Sequence, residues 1–279
     1  MNATLDVRPL TGYIGAELTG YDLGQLNDAD LKTVKEAFVE HQVIFFRRQT
    51  LSPESLLALA RQFGDIETPH PALKTLPGHP DIFLVETRDG QGVGKYNTNW
   101  HTDVSFDATP PAASIMQAVM VPEVGGDTLF ASMYAAYDNL SERVRLMIDG
   151  LEALHDGVAR FRSQMTAPED QGRLDELQRR YPGAIHPVVR RHPSTGRKAL
   201  YVNRSFTTRI MGLSDVENRN VLSLLFDQAE QSSYQVRWAW QPGDVAVWDN
   251  RCAMHYASWD YGMSHRVMHR VTISGDKPV

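Results

Sequence analysis

The 279-residue chain carries 34 acidic against 28 basic side chains, a formal charge of −6, which gives no support to nucleic-acid or anionic-membrane binding, since those partners select basic stripes. Its single cysteine, Cys252, excludes an internal disulfide and any cysteine-rich zinc or iron–sulfur site held by this chain alone. No stretch reaches the roughly 18 apolar residues of a membrane span, and MNATLDVRPL at the amino terminus lacks the apolar core of a secretory signal, so a cytoplasmic protein with no membrane partner is expected.

Asn27 precedes DADLKTVKEAFVEHQ, where Leu31, Val34 and Phe38 recur at helical spacing. Val43 to Phe46 is a short apolar run that reads as a strand. Ser52-Pro53 opens a second helix that Gly64 stops. Strands are expected at Ile82 to Val85, Ser114 to Val119 and Thr128 to Phe130. Leu140-Ser141 opens ERVRLMIDG as a helix ending at Gly150. Residues 155–185 are polar and weakly patterned, and read as an insertion or lid. Pro187 to Arg190 and Ala199 to Asn203 flank the turn HPSTGR as a hairpin. Ser214 with Glu217 is a capping box before NRNVLSLLFDQAEQ. Val236 to Trp240 and Val245 to Trp248, around Gln241-Pro242-Gly243-Asp244, are expected to pair as another hairpin. Arg266 to Ser274 is the last strand. No regular strand–helix alternation supports a doubly wound parallel sheet. Many short strands with flanking helices point to a mainly β, double-sheet jelly roll in one domain over residues 1–279.

Within Asn99-Trp100-His101-Thr102-Asp103, side chains two apart lie on one face of an extended chain, so His101 and Asp103 can grip one ion. An imidazole with a carboxylate suits Fe(II), Mn or Zn. The third ligand is open among histidines 41, 70, 155, 186, 192, 255, 265 and 269. His255 stands out, because it follows the apolar run VAVWDN as a ligand at a barrel rim would. Two His and one Asp would cap one face of an octahedron and leave three positions open, as non-haem Fe(II) oxygenases require.

Alternation along the last strand puts Arg266, Met268, Arg270 and Thr272 on one face, with the two guanidiniums roughly 13 Å apart. Arginine keeps its charge and is rarely buried unpaired. If this face points inward, each arginine needs an anion. Acidic side chains of the protein would serve. So would two anionic ligands, a dicarboxylate cosubstrate and an anionic substrate.

Together these residues resemble the taurine dioxygenase family. The matching stretches are WHTDVSFDATPPAASI, VPEVGGDTLFASMYAAYDNLS, HPVVRRHPSTGRKALYVNRSFTTRI, QVRWAWQPGDVAVWDNRCAMHYASWDY and HRVMHRVTISGDKP, joined by PLTGYIGAELTGYDL and EHQVIFFRRQ nearer the amino terminus. The resemblance implies a cupin-like double-stranded β-helix, a metal triad of His101, Asp103 and His255, and the use of Fe(II), 2-oxoglutarate and O2. It implies that Arg266 binds the distal carboxylate of 2-oxoglutarate with help from Thr128. Arg270 would bind the substrate's anionic head with His70, beside Asn97, between apolar walls at Phe161 and Phe206. Family members are often dimers or tetramers, so a homo-oligomer is expected.

Leu73 departs from the family pattern, which places a Tyr near the amine of taurine. A taurine-like alkyl sulfonate or an alkyl sulfate ester is the expected substrate, giving an aldehyde with sulfite or sulfate; Leu73 favours one without an amine, while His70, Asn97 and Arg270 keep taurine open. Other readings are cleavage of an aryloxyalkanoate ether by the same oxidant, a zinc-dependent hydrolase on the same three ligands, and a non-catalytic cupin-like binding protein.

Overall fold

The computed structural model describes residues 5–67, 74–92, 98–162 and 171–279. His70, Leu73 and Asn97 lie outside the described residues. The strands are β1 (Asp6–Pro9), β2 (Ala16–Thr19), β3 (Val43–Phe46), β4 (Thr75–Leu76), β5 (His79–Arg88), β6 (Gln91–Gly92), β7 (Ala113–Met120), β8 (Thr128–Ser132), β9 (Glu152–His155), β10 (Ala184–Pro187), β11 (Val189–Arg191), β12 (Lys198–Leu200), β13 (Thr207–Ile210), β14 (Gln235–Trp238), β15 (Val245–Asp249), β16 (Ala253–Ala257) and β17 (Arg266–Ile273). The helices are α1 (Asp28–His41), α2 (Pro53–Arg61), α3 (Met133–Asp138), α4 (Glu142–Ile148), α5 (Gly157–Arg162), α6 (Gln171–Arg180) and α7 (Asp215–Ala229).

The large sheet runs β1-β2-β3-β15-β7-β17-β5-β4, with β6 on β5, and faces a small sheet ordered β14-β8-β16. This is a jelly roll. Strict alternation explains why its central strands are buried on both faces. In β3, Val43 and Phe45 point between the sheets, whereas Ile44 and Phe46 point outward, into a core shared with Val34 and Phe38 of α1 and Leu56 and Leu59 of α2. In β15, Ala246 and Trp248 point inward and Val245 and Val247 outward. Between the sheets, Phe45 stacks on Trp238 with ring centroids 4.2 Å apart. The outer side of the small sheet is covered by α3 and α7, with Tyr134, Leu222 and Leu225 in one cluster with Ala131 and Met254.

The helix starts follow their caps. The side chains of Asn27, Ser52, Ser141 and Ser214 each accept a backbone N–H of the first turn, and Ser214 with Glu217 forms the reciprocal capping box. The turn HPSTGR does join a hairpin, β11 with β12.

The other expected hairpin does not form. β14 pairs with β8 in the small sheet, while β15 inserts between β3 and β7 in the large one. Each strand puts a tryptophan, Trp238 at the end of β14 and Trp248 one residue before the end of β15, into the space between the sheets. Trp238 meets Phe45 and Trp248 meets Phe130, each on the opposite sheet, so the two strands face one another instead of pairing. The turn between them is a corner, anchored by buried Asp244, which accepts from Gln241 N at 2.8 Å and pairs with Arg47.

The described parts of the 155–185 stretch, residues 155–162 and 171–185, are more integrated than their polarity suggests. Leu174 and Leu177 of α6 are buried, and Leu177 joins Val158, Phe106, Tyr181 and Phe206 in one apolar cluster. A Cβ on Gly157 would lie 2.7 Å from the Phe106 ring, so glycine lets α5 start against it. Among the described residues, no helix is long and apolar enough to cross a membrane.

Candidate active site

His101 and His255 come from segments far apart in sequence and meet as a single antiparallel rung outside the regular strand ladders. His255 lies within β16, which is paired along β8, so its position is fixed by the small sheet. Asp103 follows His101 by two residues and points to the same place. One donor atom from each of the three buried side chains lies within 4.8 Å of the others. Asp103 Oδ1 is 3.9 Å from Nε2 of both imidazoles.

The Asp103 backbone is clasped by one side chain. Asn250 Oδ1 accepts from Asp103 N at 2.9 Å, and Asn250 Nδ2 donates to Asp103 O at 3.0 Å and to Pro111 O at 2.9 Å. Immediately beyond, Val104 takes φ 48°, in the left-handed region that a β-branched residue rarely enters. Such a conformation costs on the order of 1–3 kcal/mol and persists only where its surroundings over-determine it. Here the Asn250 clasp and the packing of Val104 against the Phe106 cluster hold the turn.

Protonation suits a metal. Nδ1–H of His101 donates to Asn99 O at 2.8 Å, which leaves the Nε2 lone pair free. Burial pushes the His101 imidazole down, and burial with the neighbouring His101 pushes His255 down to about 3, so both are neutral near pH 7. Burial pushes the Asp103 carboxyl up, but Arg270, the two imidazoles and Ser114 together outweigh it and hold the group well below the usual carboxylate range. Two neutral imidazoles and one carboxylate, all buried, are a donor set that fits Fe(II).

The arginines of β17 do point inward. Arg266, Met268 and Arg270 are all buried. Arg270 Nη1 donates to Asp103 Oδ1 at 2.9 Å, and its guanidinium lies 4.9 Å from the centroid of Phe83. Arg266 sits opposite Thr87 of β5 and touches the turn before β8, where a Cβ on Gly126 would lie 3.4 Å from its Cδ. Among the described residues Arg266 forms no ion pair, and its buried Nε has no partner. Burial pushes its guanidinium pKa down. Thr128, two residues after Gly126, is buried, and its hydroxyl accepts from Trp240 Nε1 at 2.9 Å. Beside the metal ligands, Phe206 stands edge-on to His101 with centroids 6.3 Å apart, and Phe106 joins Phe206 to Phe161 of α5. Arg160, also on α5, faces the Asn99 side-chain amide, and with that amide turned so that its oxygen meets the guanidinium, Nη1 donates to it at 2.7 Å.

The sequence model of the "Taurine catabolism dioxygenase TauD, TfdA family" matches residues 6–272. The chain belongs to the TauD/TfdA family. It is 37% identical, over 99% of its length and 91% of the relative's, to an alpha-ketoglutarate-dependent sulfate ester dioxygenase of Pseudomonas putida. It is 35% identical, over 98% of its length and 86% of the relative's, to an alkylsulfatase of Acinetobacter baylyi. The crystal structure of a taurine dioxygenase from Burkholderia xenovorans matches with a TM-score of 0.83 at 34% identity, over 99% of this chain and 91% of that one. This TauD-family protein is therefore a 2-oxoglutarate-dependent dioxygenase that uses Fe(II) and O2. Membership sets aside the readings as a zinc-dependent hydrolase and as a non-catalytic cupin-like binding protein.

The structure adds residues to the site of this TauD-family enzyme that sequence spacing does not single out. Asn250 and Ser114, the latter donating to Asp103 Oδ2 at 3.1 Å, support the aspartate from 147 and 11 residues away. Trp240 fixes Thr128, and Asn99 orients His101. Glu67 is half-buried near this region, and burial, with Asp107 and Asp103 nearby, pushes its carboxyl up to about 7. A second buried group, His192, Asp249 and Cys252, has metal-like composition, but its histidine and aspartate donors are already taken. His192 Nδ1 accepts from the amides of Ser194 and Thr195, and its Nε2–H donates to Asp249 at 3.0 Å. Arg251 occupies both carboxylate oxygens of Asp249 at 2.8 and 2.6 Å, so this cluster is structural.

Proposed function

We propose that the enzyme oxidises small alkyl sulfate esters, releasing sulfate and an aldehyde, with alkyl sulfonates as the neighbouring substrate class. The observation that carries this reading is the pair of buried arginines on the inner face of β17, one of which reaches the His/Asp/His cluster through Asp103. Two buried guanidiniums on one face suit two anions, and the reaction of this family brings one of them as 2-oxoglutarate. The sulfate-ester activity named for the Pseudomonas putida relative supports a sulfate head for the other.

In this reading His101, Asp103 and His255 hold the iron. Arg266 receives the distal carboxylate of 2-oxoglutarate, with Thr128 beside it. Arg270 receives the substrate's anionic head, and Phe161 and Phe206 wall the alkyl chain. His70 and Asn97 keep the substrate roles that the resemblance implies. Iron with 2-oxoglutarate and O2 supplies the oxidant for a C–H bond, the cosubstrate leaving as succinate and CO2. The residues themselves bind, aim and exclude water. The guanidinium of Arg270 fixes the head of the ester, so the carbon bearing the ester oxygen is the one held toward the ligands. A hydroxyl placed there gives a hemiacetal sulfate, which collapses to an aldehyde and hydrogen sulfate as the C–O bond to sulfate breaks. The rest of the reading is one domain with residues 155–185 as a lid, a homo-oligomer, and a cytoplasmic location.

The test is a single screen. Anaerobic protein with Fe(II) and 2-oxoglutarate should develop the metal-to-ligand absorbance band. On admission of O2, hexyl sulfate should drive succinate and sulfate formation above taurine, hexanesulfonate or an aryloxyalkanoate. Succinate formation coupled only to the aryloxyalkanoate would replace the sulfate reading with ether cleavage.

A further inference from the structure

Asp103 Oδ1 faces both the paired imidazoles of the triad and the guanidinium of Arg270. It is the oxygen that lies 3.9 Å from Nε2 of both His101 and His255, and it is also the oxygen that accepts from Arg270 Nη1 at 2.9 Å. The other oxygen is taken by Ser114. A carboxylate oxygen has two lone pairs, so an ion and a guanidinium can share it, but each withdraws negative charge that the other would use. Arg270 has little freedom to move away. It is buried, stacks over Phe83, and among the described residues pairs with no carboxylate except Asp103. Its Nε is buried and has no hydrogen-bond partner, so one edge of the same guanidinium remains for an anion.

We propose that Arg270 couples metal and substrate, so that the ion on the His101–Asp103–His255 triad and an anion on the free edge of Arg270 bind cooperatively. The coupling rests on the reading of Arg270 as the substrate-anion site. With no anion present, the guanidinium's charge stands unopposed against Asp103 and weakens the hold on the ion. An anion on the opposite edge offsets that charge and restores the ligand. Linkage requires the converse with the same factor: the ion raises affinity for the anion. The enzyme thereby favours loading iron and substrate together over either alone.

The test uses Mn(II), followed as free ion by electron paramagnetic resonance, so no turnover is involved. In the wild-type protein, saturating hexyl sulfate should tighten Mn(II) binding about tenfold, and uncharged 1-hexanol should not, within the usual range of coupling between sites. Arg270→Met should bind Mn(II) about tenfold tighter than wild type and lose the response to hexyl sulfate. Near-UV circular dichroism checks that the variant is folded, and the wild-type measurements decide the matter by themselves if it is not. Hexyl sulfate that binds the Mn(II)-loaded protein without changing Mn(II) affinity would overturn the coupling and leave the substrate reading intact. So would an Arg270→Met protein with unaltered or weaker Mn(II) binding. Hexyl sulfate that fails to bind the Mn(II)-loaded wild type would overturn the substrate reading and the coupling together.

Discussion

His101 and His255 exchange both of their backbone hydrogen bonds, His101 N to His255 O at 3.0 Å and His255 N to His101 O at 2.8 Å, which sets their imidazole centroids 4.1 Å apart. The bridge belongs to the main chain, so it survives loss of either ring. His255→Ala should keep the fold and its melting temperature within a few degrees, yet lower Mn(II) or Fe(II) affinity at least about 100-fold, given that ligands outweigh their supporting partners, which are worth 10–100-fold. Metal titration alongside circular dichroism checks this. Unchanged metal affinity in the folded variant would remove His255 from the site.

Asn250 holds Asp103 by the backbone on both sides and reaches Pro111 as well, three hydrogen bonds from one amide. Asn250→Ala leaves those buried groups without partners next to the left-handed turn at Val104. The expected result is a loss of about 1–3 kcal/mol in stability and a 10–100-fold loss in metal affinity. The reading to compare is Ser114→Ala, which removes only one contact to Oδ2 and should cost less on both measures. Equal losses would mean that the Asn250 clasp has no special hold on the ligand.

How much of this was legible beforehand depends on the range of the interaction. Caps and alternation are local, so α1, α2, α4, α7 and the shared face of Arg266 and Arg270 on β17 could be read from spacing, though not that this face points inward, and two-residue spacing was enough to put His101 with Asp103. His255 was marked by its position after an apolar run, although it lies within β16 and not past a strand end. The corner between β14 and β15 was misread because a Pro-Gly turn between two apolar strands looks the same whether the strands pair or face each other across a core; the choice is made by Phe45 and Phe130, distant in sequence. The role of Asn250 was hidden for the same reason, since it clasps a residue 147 positions away. In α6, two apolar side chains among eight polar and small ones gave too weak a pattern to separate a packed helix from a polar insertion.

Arg266 is a buried cation whose Nε has no partner and which forms no ion pair among the described residues, an arrangement that costs stability unless an anion arrives. Arg266→Met keeps much of the volume and removes the charge. The variant should melt higher than wild type in the absence of 2-oxoglutarate, by an amount equivalent to about 1–3 kcal/mol. It should lose the rise in melting temperature that 2-oxoglutarate gives the Mn(II)-loaded wild type. Thermal scans of both proteins with and without the cosubstrate make the comparison. A variant that still responds to 2-oxoglutarate as wild type does would exclude Arg266 as its carboxylate anchor.

Asp249 tests the second buried cluster, away from the metal ligands, through pH. Arg251 and His192 hydrogen-bond its carboxylate, and although burial opposes them, they hold it at about 2 against an ordinary value of 3.8. A carboxyl whose folded pKa lies below its unfolded one stabilises the protein above the unfolded value and loses that contribution as pH falls through the folded one. The stabilisation is thus complete at pH 7, starts to fade below about 4 and is gone near 2, and is worth about 2 kcal/mol from the size of the shift. Asp249→Asn leaves Arg251 buried without its partner and should cost about 3–5 kcal/mol at neutral pH. The gap between wild type and variant in urea unfolding should then narrow steadily from pH 4 to pH 2.5. Using the difference between the two proteins cancels the contributions of the other carboxylates. A gap that stays constant with pH would mean that the charge of Asp249 contributes nothing to holding the β11–β12 hairpin against β15.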